Sequence, residues 1–169
     1  MSLNPFAGVS SGLVLQELAR VESSHAAGDL GERLHADSAN NQTRAVVDAI
    51  NRLLDRSLQP VAELGQAIRT VTTEHDRGEI DAIVPPDTFR GDLAAMARNV
   101  NALVGSHIAV KKQAMACVKE FAEGNFKAPM EKLPGKKAFI NETIATLRGN
   151  LIGLIAEMNH MSSEHDRGE

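Results

Sequence analysis

One short phrase recurs along this chain and limits what it can fold into. His25-Ala26-Ala27-Gly28-Asp29-Leu30 is answered by His75-Asp76-Arg77-Gly78-Glu79-Ile80, by Phe121-Ala122-Glu123-Gly124-Asn125-Phe126, and by His165-Asp166-Arg167-Gly168-Glu169. The glycines stand 50, 46 and 44 residues apart, and an acidic or amide residue follows each. A period in that range marks an array of like modules, each about one supersecondary unit. Repetition without repeated chemistry points to mechanical or scaffolding work. The chain stops just inside the last occurrence of the phrase, so the natural protein is expected to be longer. A module this small buries only about 60% of its unfolded surface, so stacking, dimerisation or both are needed to complete a core.

Within each module the apolar spacing predicts helix, connector, helix. Val61, Leu64, Ile68 and Val71 step by three, four and three, which places them on one helical face. Leu93, Met96, Val100 and Leu103 repeat the stepping after the connector. The matching faces are Val14, Leu18 and Val21 with Val46, Ile50 and Leu53 in the first module. In the third they are Met115, Val118 and Phe121 with Ile140, Ile144, Leu147, Leu151 and Leu154. That last stripe continues through Met158 and Met161, predicting a long exit helix that leaves as a coiled coil. The divisions are a tail at 1–9, modules at 10–56, 57–107 and 108–156, and the exit helix at 157–169. Pro60 is expected to open a helix and to kink or interrupt the first join. The second join holds no proline, so one helix is expected to run through it. Lys111 takes an expected core position there, a phase slip of the kind that locally unwinds or overwinds a coiled coil. The aromatic set is five Phe with no Trp or Tyr, which suits helices better than strands.

The connectors hold Pro85-Pro86, Pro129 and Pro134-Gly135, and are longer than the roughly 2–8 residues that join antiparallel helices. A dozen extended residues reach roughly 40 Å, and a 16-residue helix is about 24 Å long. The connector can therefore return the chain to the top, so that both helices run parallel. An apolar pair recurs at fixed distance after each glycine: Leu30 and Leu34, Ile80 and Val84, Phe126 and Met130. These pairs are expected to dock onto the helices. Two parallel helices cannot enclose their apolar faces, and a second copy of the chain would supply two more, giving a parallel four-helix bundle around a twofold axis.

These features together resemble the HAMP domain, the parallel signal-relay module of histidine kinases and chemoreceptors. The resemblance rests on Pro60, on Gly78-Glu79-Ile80, on Ile80 and Val84, on Phe89-Arg90-Gly91-Asp92-Leu93 opening a second helix, and on Asn99-Val100-Asn101. The outer modules match by spacing and by the glycine step. Module one has Asn41-Gln42-Thr43 and module three Asn141-Glu142-Thr143 where the pattern differs. Three such modules resemble the poly-HAMP region of soluble, haem-PAS-containing aerotaxis-type chemoreceptors. The resemblance implies an all-α dimeric stack, a haem in a downstream sensor domain rather than in this segment, and a longer parent that couples to a chemotaxis adaptor and kinase.

The remaining residues offer little chemistry. The formal charge is −4 and no basic tract is present, so nucleic acid is not an expected partner. No run of eighteen apolar residues occurs, so no membrane span is expected. The opening Met1-Ser2-Leu3-Asn4-Pro5-Phe6 lacks the basic start and apolar run of a secretory signal. Cys117 is the one cysteine, which fits a reducing, cytoplasmic setting. It is expected to be half-buried, without a redox role. His25, His75 and His165 share one repeat position that Phe121 also takes, so they read as helix-end residues and not as haem or metal ligands. Glu74-His75-Asp76 could suggest acid–base work, but it returns as Glu164-His165-Asp166. Met96, Met115, Met158 and Met161 read as core filler. No catalytic, cofactor-binding or metal site is expected. The residues expected to matter are Pro60, Gly28, Gly78, Gly124 and the connector pairs, in a non-enzymatic relay. The competing readings are a passive coiled-coil spacer and a haem- or metal-binding bundle.

Overall fold

A computed structural model of the chain describes residues 9–37 and 39–168, with the Asp166 side chain left out. The expectations for residues 1–8 and for Glu169 lie outside the described residues. The described residues are all-helical: α1 (Ser11–Ala26), α2 (Asn41–Asp76), α3 (Gly91–Ala122) and α4 (Ala138–Arg167). Single 3₁₀ turns at Pro86–Thr88 and Gly135–Lys137 precede α3 and α4. The chain divides into two compact units, Met1–Val100 and Asn101–Glu169.

In the first unit the Asn40 side chain caps α2 by accepting the Thr43 N–H at 2.9 Å, satisfying one of the free donors of the first turn. The buried Thr43 hydroxyl accepts the Ser10 N–H at 2.9 Å. The starts of α1 and α2 therefore lie side by side, and the connector between them climbs back along both helices. One cluster joins Val14 and Val21 of α1 to Leu34 of the connector and Val47 of α2, with Leu18, Val46, Ile50 and Leu54 against it. A second joins Leu64 of α2, Val84 of the next connector and Ala97 of α3, with Ile68, Val71, Phe89 and Leu93. In the second unit Cys117 and Phe121 of α3, Ala128 of the connector and Ile144 of α4 form a third.

Several expectations change. Pro60 neither opens nor interrupts a helix, because α2 runs through it from Asn41 to Asp76. A mid-helix proline costs about 3 kcal/mol, but α2 is anchored on both sides of it, through Leu54 in one cluster and Leu64 in the other. The second join is continuous as expected, within α3. The expected borders at 56/57 and 107/108 thus fall inside helices. Lys111 is exposed and not a core residue.

The expected stripes mostly face inward, with Val14, Leu18 and Val21, Leu64, Ile68 and Val71, and Val118, Phe121 and Ile144 in the clusters, but some of their members turn outward. Ala94 and Ala97 are buried, while Met96 and Leu103 point outward. Val47 is buried and Leu53 exposed. Cys117 is fully buried and Met115 exposed. Of the methionines expected to fill the core, Met96, Met115, Met158 and Met161 are all exposed. The reason is geometric. Each helix has two apolar edges, and a single neighbouring helix covers only one of them.

Candidate functional site

The helix ends and connectors carry the side-chain specificity of this molecule. Gly28, Gly78 and Gly124 have φ of +94°, +96° and +88°, the left-handed conformation that glycine adopts without a Cβ penalty. The following N–H reaches back to the carbonyl five residues earlier: Asp29 to Ser24 at 3.0 Å, Glu79 to Glu74 at 2.9 Å and Asn125 to Glu120 at 2.9 Å. The glycine N–H takes the carbonyl three residues earlier in each case. The repeated phrase is therefore a Schellman helix stop, and it aims the chain back along the helix it has just left.

Above each stop the connector is clamped. His25 Nε2–H donates to the Glu32 carbonyl at 3.1 Å, and His75 Nε2–H donates to the Ala82 carbonyl at 2.9 Å. A carbonyl only accepts, so it fixes the proton on Nε2. In the third module Phe121 is buried instead and faces Phe126, with ring centroids 6.2 Å apart. The Arg148 guanidinium lies 5.3 Å over the Phe121 ring and donates through Nη2 to the Ala128 carbonyl.

In the first two connectors the second member of the apolar pair is the one that enters the core. Leu34 and Val84 are 3% and 0% exposed. In the third connector that depth belongs to Ala128, and Met130 is half-buried with Phe126. Leu30 and Ile80 do not dock within one protomer: they remain 40% and 42% exposed. Leu30 instead borders a groove on α2 with Leu58, Val61, Ala62 and Gly65. The backbone leaving the glycine has not yet risen to the helix pair at these first positions.

Sequence reasoning missed the polar staples. Asn51 holds Leu34 by both backbone groups, accepting its N–H and donating to its carbonyl, each at 2.9 Å. Asn141 does the same for the third connector, accepting from Leu133 at 2.9 Å and donating to the Glu131 carbonyl at 2.8 Å. A signal existed, since Asn101 stands one period after Asn51. The first connector has further ties. Glu17 Oε2 accepts the His35 N–H at 2.9 Å and the Arg20 guanidinium at 3.1 Å. Arg20 also binds Glu32 and the Arg33 carbonyl, and Arg33 Nε pairs with Asp55 at 2.7 Å. The His35 N–H, then Arg20, hold the Glu17 carboxyl below its ordinary range, and Glu32, then Glu17, raise Arg20.

Among the described residues no three His, Cys, Asp or Glu side chains come together as a metal site. No described helix is long and apolar enough to cross a membrane. The side-chain hydrogen bonds described above hold connector backbone against the helices.

Residues 110–152 match the family described as HAMP N-terminal domain 3. They contain the third helix–connector–helix segment, where the sequence pattern was weaker than in the second. The chain is also 40% identical over 96 residues to the methyl-accepting chemotaxis protein McpB of Pseudomonas aeruginosa. That alignment covers 57% of this chain and 14% of the relative's length.

Proposed function

We propose that the chain is a non-enzymatic relay of three HAMP modules, 10–56, 57–107 and 108–156, paired with a second copy into a stack of parallel four-helix bundles. It passes conformational change along that stack inside a longer, cytoplasmic chemoreceptor. The HAMP match at 110–152 and the chemotaxis relative support this reading. The observation that carries it is the half-covered helix. Leu53, Met96, Leu103 and Met115 stay exposed on helices whose Val47, Ala97 and Cys117 are buried. A second copy covers these edges without disturbing the edge already packed. In this reading the segment holds no cofactor; a haem sensor and coupling to a chemotaxis adaptor and kinase belong to the parent protein.

The mechanism is a population shift between bundle packings that differ in helix rotation or spacing. A module that prefers one packing biases its neighbour. Driving one module from 1:99 to 99:1 requires about 5.5 kcal/mol of differential preference, so each step of a relay biases populations by less. Continuous helices such as α2 and α3 at the joins suit such transmission, because rotation at one end is carried along the rod.

The test is substitution of the outward residues in the full receptor, for example Leu53→Ala and Leu103→Ala, with kinase output and dimerisation measured together. A relay gives variants locked toward one output while still dimeric. A passive spacer gives variants whose output falls only as dimerisation falls, and that result would overturn the reading.

A further inference from the structure

The second half of α4 has the sequence of a first module helix, yet beyond Leu151, which still touches the third cluster, its large apolar side chains are exposed among the described residues. Residues 164–169 repeat residues 74–79 letter for letter, Glu-His-Asp-Arg-Gly-Glu. Upstream, Leu151, Leu154, Met158 and Met161 stand in the register of Val61, Leu64, Ile68 and Val71, each ninety residues on. The helix stop is reproduced as well. Gly168 has φ of +77° and its N–H donates to the His165 carbonyl at 3.1 Å, as Gly78 does to His75 at 3.0 Å.

The two stretches differ in cover. In α2, Leu64 is 6% exposed against Val84 of the connector and Ala97 of the next helix. In α4, Leu154, Met158 and Met161 are 55%, 56% and 61% exposed, and Ile152 and Ile155 beside them are exposed too.

We propose that α4 from Leu151 onward is the first helix of a fourth helix–connector–helix unit, and that its apolar face is covered by the polypeptide that follows Gly168. This rests on the reading of the chain as tandem modules. The connector would place an apolar residue six positions after Gly168, as Leu34 follows Gly28 and Val84 follows Gly78. A second helix parallel to α4 would meet Leu154 about 33 positions later, the separation of Leu64 from Ala97 and of Val14 from Val47. Two observations favour this occupant over a second copy of α4 alone. A two-stranded seam buries only a narrow a/d stripe, whereas Ile152 and Ile155 widen this face well beyond it. A left-handed glycine at the position of Gly78 also favours a helix end, which a continuing coiled coil does not require.

The experiment compares maleimide labelling of Leu154→Cys and, independently, Met158→Cys in the 169-residue protein and in the natural full-length polypeptide. Leu64→Cys serves as the reference for a completed unit. The expected result is that labelling of positions 154 and 158 slows about tenfold or more only when the following polypeptide is present. Equal, fast labelling in both proteins would overturn the proposal by showing an open face. Equal, slow labelling in both would overturn it in favour of a second copy. Fast labelling of Leu64→Cys in both would instead sink the underlying reading of the repeats, and this proposal with it.

Discussion

Single residues here act mostly on the backbone. Gly78 has open space around it, so its demand is purely conformational: φ of +96° is closed to a side chain without strain. Gly78→Ala is expected to cost about 1–2 kcal/mol, read as a lower urea midpoint with an unchanged slope, and Gly78→Asn less than that. Glu17 acts differently, through charge. Its folded carboxyl titrates below its unfolded value because the His35 N–H and Arg20 stabilise the anion. That contribution is complete above the ordinary carboxylate range and is lost as pH falls through the lowered folded value. Glu17→Gln should therefore lower stability at neutral pH and flatten the acid limb of a stability-against-pH curve. An acid limb identical to wild type would show that the Glu17 network does not hold the first connector.

Elements gain their stability from three-part packing: first helix, connector, second helix. Leu34 lies inside the first such cluster while Leu30 borders a groove. Leu34→Ala is expected to cost about 2–5 kcal/mol, whereas Leu30→Ala should cost about 1 kcal/mol or less. Thermal melts of the two variants decide it, and equal costs would contradict the assigned depths. The helices, their connectors and the glycine stops were legible in the sequence, because periodicity and helix termination are local properties. Which members of each stripe lie outward was not. The steps Leu93, Met96, Val100 and Leu103 trace an apolar face correctly, but they do not say which edge meets the neighbouring helix. Beside Leu93 and Val100 the packed edge proved to hold Ala97, whose small size lets α3 approach Leu64 and Val84. Pro60 misled for the same reason: its local preference for a helix start lost to tertiary anchoring on both sides. Asn51 and Asn141 went unread because an asparagine on a helix looks like surface until a connector backbone lies beside it.

For the whole molecule the decisive fact is incompleteness. Large apolar side chains remain exposed along α1, α2 and α3, among them Leu15, Leu53, Leu103 and Met115. Exposed apolar surface of this extent on a protein is the mark of an interaction face. The HAMP match at 110–152 and the chemotaxis relative give that face its proposed meaning, a twin chain that supplies the missing half of each bundle. A relay built this way needs no pocket and no reacting group, only two packings close in free energy and stiff rods to couple them. In the proposed relay the repeated helix stops and clamps would keep the connectors in place while the helices change packing. The most direct check is the mass of the folded protein in solution by sedimentation equilibrium, with helicity followed in parallel. The account predicts a species of twice the 18.1 kDa chain mass, losing helicity as dilution separates the copies. A fully helical, cooperatively folded protein at the mass of one chain would contradict it.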